Sequence, residues 1–162
     1  AYIYYGNNPS GIPANMTVNP GSPGTTITGT NSGAFFTTNM AVADVDNNGY
    51  ADLMVGAYGC TANPSGCTYL FYGQATPIVS GLASTASLTF TGQTTGDNFG
   101  RAIGTADANG DGYLDLLVGA NLWSSSTGRT FVFGGTGTGP STTAGLVING
   151  ETGSEFGIHI SR

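Results

Sequence analysis

The sequence predicts an all-β chain made of four-stranded antiparallel blades, two complete and two partial. Three observations carry this reading. The composition is turn-dense but still able to fold: 28 Gly and 7 Pro in 162 residues, with 39% hydrophobic and 10% aromatic residues. Residues 44–52, "DVDNNGYAD", recur as "DANGDGYLD" at 107–115, an offset of 107 − 44 = 63 that also aligns "FFTTNMAVADVDNNGYADLMVGA" with "NFGRAIGTADANGDGYLDLLVGA" without a gap. Each repeat holds four short alternating or β-branched runs separated by Gly-rich turns, and four strands per tandem unit is the pattern of a propeller blade.

Taken in order, "AYIYYG" at the start matches the third run of a unit, and "TTITGT" from Thr25 supplies its fourth, so residues 1–30 read as a partial blade. Residues 31–92 form a full unit: a first strand before Asp44, a second through "ADLMVGA", a third in "TYLFYG" from Thr68 and a fourth in "ASLTFTG". Residues 93–150 repeat this through "TFVFGG" from Thr130 and "AGLVING". In residues 151–162, "SEFGIHISR" matches "DNFGRAIGT" and is expected to be the first strand of a further blade, with His159 in it as an ordinary strand side chain. Closed propellers have about four to eight blades. The chain therefore reads as an excerpt of a longer propeller or as a subunit whose open edges are covered by other copies.

Nine residues are acidic, and six of them fall within the two repeated windows. At window positions 1, 3, 5 and 9 stand Asp44, Asp46, Asn48 and Asp52, then Asp107, Asn109, Asp111 and Asp115. Gly49 and Gly112 at position 6 permit a sharp turn, and the main-chain carbonyls of Tyr50 and Tyr113 at position 7 can add an oxygen. This collects oxygens as Ca2+ requires, in two sites; Mg2+ retains water and rarely uses an all-protein cage. Position 12 is Val55 or Val118 where an EF-hand needs Glu, and the flanks are strand-like. The plainer reading is an Asx-rich turn without metal, against which stands the duplication of the ligand spacing.

Cys60 and Cys67 bracket "TANPSG", whose Asn63-Pro64-Ser65-Gly66 is a good turn sequence, so a disulfide across the mouth of a hairpin is expected, and with it secretion. The alternatives are free thiols or half a metal site that only His159 could help complete. Three Arg, no Lys and a net charge of −6 offer no basic surface for nucleic acid or anionic lipid. No apolar run is long enough to span a bilayer, and the first residues lack the charged start and apolar core of a signal peptide. Asn15-Met16-Thr17 is an N-glycosylation sequon, and the Ser/Thr-rich loops permit O-linked sugar.

Phe99-Gly100, Phe156-Gly157, the acidic loops, and "VGA" at Val55-Gly56-Ala57 and Val118-Gly119-Ala120 together resemble FG-GAP repeats, the blades of the integrin α-subunit propeller and of many secreted bacterial proteins. The resemblance departs at Phe36-Thr37, where Phe-Gly is expected, and at Tyr58 and Asn121, which replace the Pro of "GAP". It implies that each calcium loop joins the first and second strands of a blade and pins that hairpin structurally. It also implies that ligands bind on the opposite face, where the Cys60–Cys67 loop, "NLWSSSTGR" and "GQTTGDNFG" would lie. Trp123, Asn121 and Arg101 are the candidate ligand contacts there; packing of Trp123 on a neighbouring blade and an Arg101–Asp97 ion pair are the bland alternatives.

No Ser-His-Asp or paired-carboxylate set remains once the metal ligands are set aside. The expected function is a non-catalytic, extracellular or cell-surface, calcium-stabilised module for adhesion or recognition of a protein or glycan. Two alternatives stand beside it: a subunit assembling with its own copies into a ring or extracellular fibre through its incomplete blades, and an accessory propeller of a secreted hydrolase.

Overall fold

The computed structural model describes residues 2–3, 25–60, 63–76 and 78–161. Asn15 and most of the first predicted strand lie outside the described residues.

Eleven strands are described: β1 (Tyr2–Ile3), β2 (Thr25–Thr28), β3 (Met40–Ala43), β4 (Asp52–Ala57), β5 (Cys67–Phe71), β6 (Gly81–Leu82), β7 (Leu88–Thr91), β8 (Phe99–Ala106), β9 (Asp115–Ala120), β10 (Arg129–Phe133) and β11 (Leu146–Asn149). They build two four-stranded antiparallel sheets, β3-β4-β5-β7 and β8-β9-β10-β11, each in chain order apart from the excursion of β6, which joins a mixed three-stranded sheet β1-β2-β6. Corresponding strands pair in corresponding register. Gly56 lies opposite Thr68 in the first sheet, and Gly119 opposite Thr130 in the second.

The central strands are covered on both faces, which is why "DLMVGA" and "CTYLF" read as nearly continuous apolar or small runs. Alternation then divides them between two cores. Met54, Leu70 and Phe90 face the second sheet and meet Phe99, Ile103, Leu116, Val118, Phe131 and Phe133. Leu53, Val55, Tyr69 and Phe71 face the other way, onto Ile27 of β2, Ala34 and Ala83.

The approach of one repeat to the next depends on paired glycines. A Cβ on Gly56 would lie 2.1 Å from the carbonyl oxygen of Gly100, and one on Gly119 would lie 1.9 Å from that of Gly157. The glycine of each Phe-Gly pair therefore sits against the glycine of the preceding "VGA". The residue before the Phe is left-handed at Phe35, Asn98 and Glu155, and the residue after it at Thr37, Gly100 and Gly157, with φ between 50° and 88°. Thr37, at φ 74°, thus holds in a β-branched residue the conformation that its counterparts assign to glycine.

Two expectations are corrected at the ends. The run at Thr25 pairs antiparallel with β1 as expected, but it also pairs in parallel with β6, an element absent from the sequence reading. "FGIHIS" is not a strand: residues 157–161 carry no ladder, and exposed His159 lies outside any sheet. Its opening turn does form, joined by a bridge from Phe156 to Gly128. Strand geometry is held by a hydrogen-bonded neighbour, and among the described residues no strand pairs with this run beyond that single bridge.

Candidate calcium loops and the opposite face

The two acidic windows are the connections β3–β4 and β8–β9, at one end of the sheets. Asp, Asn and Gly turn here because short side-chain oxygens take the backbone N–H groups that the ladder releases. Asp44 accepts hydrogen bonds from the N–H groups of Asn48 and Gly49 at 3.1 and 2.9 Å. In the second loop Asp107 accepts from Gly110, Asp111 and Gly112 at 2.7 to 3.0 Å. Position 5 accepts from position 7 in both loops, Tyr50 to Asn48 and Tyr113 to Asp111.

Position 9 is the buried member. Asp52 and Asp115 are 0% and 1% exposed. Each holds the N–H at position 2 on one carboxylate oxygen, Val45 at 2.7 Å or Ala108 at 2.9 Å. The other oxygen accepts from the end of the third strand, Gly73 or Gly135, each at 2.7 Å. These glycines were missed from the sequence, although both third-strand runs end on Gly at matching positions. A Cβ on either would collide with the loop backbone, at 2.2 Å from the oxygen of Ala51 or 2.4 Å from that of Leu114. Burial raises the Asp52 pKa; the hydrogen bonds from Val45 and Gly73 oppose the rise, and the charges of Asp46 and Asp44 add to it.

The donor set fits calcium in the first loop. Carboxylate oxygens of Asp44, Asp46 and Asp52 lie within 4.8 Å of one another. Oxygens that share one ion at about 2.4 Å are at most about 4.8 Å apart, so these three can lie on a single coordination shell. Among the described residues this is the one group of three acidic, His or Cys side chains so gathered. In the second loop position 3 is Asn109 and position 5 is Asp111, and the Asn109 amide donates to Asp111 at 2.8 Å. Its carboxylates thus stand at positions 1, 5 and 9 rather than 1, 3 and 9, and they do not converge as closely. The backbones of Tyr50 and Tyr113 lie in the loops, their side chains substantially exposed.

At the other end of the sheets, Cys60 and Cys67 form the expected disulfide, Cα atoms 5.9 Å apart, across the β4–β5 connection. The three ligand-face candidates do not come together. Asn121 is buried and donates to Glu155 at 3.2 Å across the junction, leaving its Oδ1 without a partner among the described residues. Arg101 lies over the Tyr58 ring, 5.3 Å from its centroid, rather than pairing with Asp97. Trp123 is half-buried, with the Arg129 guanidinium 3.5 Å from its ring centroid. Arg129, also missed from the sequence, is held by Gln93 and Asn149 at 2.9 and 3.1 Å. Asp97 is buried and accepts from the Thr94 N–H at 3.0 Å.

Tandem four-stranded blades, with an oxygen-rich loop between the first two strands of each, define a β-propeller-type repeat protein. The FG-GAP repeat signature matches residues 36–66 and 99–141, and the chain belongs to the FG-GAP repeat family. It is 30% identical over 129 residues to mouse integrin alpha-3, covering 77% of this chain and 12% of that protein. A segment of 50 residues is 50% identical to integrin alpha-4 of Xenopus laevis, covering 30% of this chain and 5% of that one. The chain is also 31% identical over 120 residues to rat phosphatidylinositol-glycan-specific phospholipase D, covering 72% of this chain and 14% of the relative. It spans only a small part of the curated relatives it matches.

Proposed function

We propose that this chain is part of an extracellular or cell-surface, calcium-stabilised propeller that recognises a protein or glycan and has no catalytic role of its own. The observation that carries the reading is the convergence of Asp44, Asp46 and Asp52 at one end of the sheets, clamped by Asp52 to the third strand. Bound calcium would neutralise carboxylates that otherwise repel one another and would tie β3, β4 and the end of β5 together. The cage uses its oxygens internally, which leaves recognition to the loops at the opposite end. Similarity to two integrin alpha chains supports the adhesion reading.

The test is thermal unfolding with calcium and in chelator. A ligand bound to the folded state alone at one hundred times its Kd adds about 2.7 kcal/mol per site, so calcium should raise the melting temperature and Asp46→Ala should remove the first loop's share. Superimposable melts would defeat the cage.

Assembly with further copies is a second reading, supported by apolar side chains left on the outward faces of both sheets: Met40 and Val42 on β3, Leu146 and Ile148 on β11. Light scattering in calcium decides it, through a mass several times 16.3 kDa made of uncrosslinked chains. The phospholipase D relative supports the accessory-propeller alternative; hydrolysis lost on deleting a neighbouring domain would establish it.

A further inference from the structure

Phe35 is 58% exposed and left-handed, with φ 50°. A bulky residue in that conformation is strained by about 1–2 kcal/mol. The turn does not require an aromatic: the corresponding residue of the next repeat, 35 + 63 = 98, is Asn98. Tyr58, whose counterpart at 58 + 63 = 121 is Asn121, is likewise aromatic in this repeat only. The two substitutions meet in space. The rings of Phe35 and Tyr58 stack 4.6 Å apart and 7° from parallel, with Arg101 packed on Tyr58.

Phe35 also borders a groove of about 600 Å3 between the end of β2 and the turn leading to β3. Its lining residues include Thr26, Thr28, Thr30 and Ser32 beside Phe35 and Phe36, and no charged residue among those described. Volumes of about 300–1,000 Å3 with aromatic walls and a few polar groups suit small ligands. A neutral sugar has the complementary surface: the C–H edges of a pyranose carry partial positive charge and pack on the negative face of an aromatic ring, and its hydroxyls can exchange hydrogen bonds with Thr and Ser.

We infer that the Phe35–Tyr58 pair and the adjoining threonine-lined groove bind a neutral pyranose glycan. The inference rests on the recognition reading above and specifies its ligand class and its site, which is separate from Trp123.

Saturation-transfer NMR of the calcium-loaded protein with methyl glucoside, methyl galactoside, methyl mannoside, N-acetylglucosamine, cellobiose, lactose and chitobiose tests it. The expected result is transfer to the ring C–H protons of at least one sugar, with affinity weakened about tenfold or more in Phe35→Gly and in Tyr58→Ala and unchanged in Trp123→Ala. Phe35→Gly removes a strained exposed side chain, so it should melt at or above the wild-type temperature, which separates lost binding from lost folding. No transfer from the wild type to any of these sugars overturns the site. Transfer that survives in Phe35→Gly overturns it equally. Either result leaves recognition elsewhere on the module, and the calcium melt, to be judged on their own outcomes.

Discussion

Replacing Gly100 with Ala tests how adjacent repeats are joined. Gly100 has φ +88°, and a Cβ there would lie 2.3 Å from the backbone oxygen of Cys67 and 3.1 Å from Thr68 Oγ1. Left-handed Ala costs about 1–2 kcal/mol, and forcing a methyl into a filled site costs about 1–3 kcal/mol more. The obstacle is strand backbone, so rotation of a side chain cannot relieve it. Against this, Ala loses less unfolded-chain entropy on folding, a gain of about 0.4–1 kcal/mol. The net expectation is a loss of about 3 kcal/mol. At about 2–4 °C per kcal/mol for a chain of this size, the midpoint should fall by roughly 6–12 °C. The assay is calcium-loaded thermal unfolding followed by near-ultraviolet circular dichroism, with urea unfolding to obtain the free energy. A variant melting within about 1 °C of wild type would refute the argument from close backbone approach.

The converse change, Thr37→Gly, should be neutral or stabilising by up to about 1 kcal/mol, because relief of left-handed strain outweighs the added unfolded-state entropy; a clear loss in urea unfolding would show that the Thr37 side chain contributes more than its backbone angle costs. Reducing the Cys60–Cys67 bridge, or replacing both cysteines with Ser, should lower stability by about 2 kcal/mol, since it closes only a short loop, and the comparison of urea midpoints with and without reductant measures this. Burial raises the Asp97 pKa above the ordinary aspartate value of 3.8, against the lowering effects of its Thr94 hydrogen bonds and the Arg129 charge. The folded state therefore binds the proton more tightly than the unfolded state, and this group's contribution to stability grows as pH falls from neutral through the raised folded pKa toward 3.8. Asp97→Asn should remove that contribution, so the wild-type minus variant difference in melting temperature should become more favourable to wild type on acidification; a difference that is flat or of opposite sign between pH 7 and 4 would contradict it.

Local features were legible in the sequence because they depend on near neighbours. The repeat of 63 residues, the four strand-forming runs of each full unit and the turn-forming Asp, Asn and Gly at set spacing all appear in the structure where the pattern put them. The disulfide was legible too, since only the six residues "TANPSG", with a turn sequence among them, separate the two cysteines.

What only the tertiary structure decided are pairings between distant segments. Nothing in the order of residues joins β2 to β6, places Gly73 and Gly135 on the buried carboxylates, or sets Arg129 over Trp123. The same limit explains the failed strand at "FGIHIS": alternation shows which side chains share a face, but a strand persists only where another segment takes its backbone hydrogen bonds. It also explains why Phe35 and Tyr58 looked like unrelated departures from a repeat. They lie 23 residues apart in the chain (58 − 35 = 23), and only the packing of the first turn against the β4–β5 connection makes them one surface. Sequence alone determined the repeat, its strands and its oxygen-rich loops, because those follow from period and local hydrogen bonding; which groups face one another was left to the folded chain, because those contacts exist only once the sheets have packed.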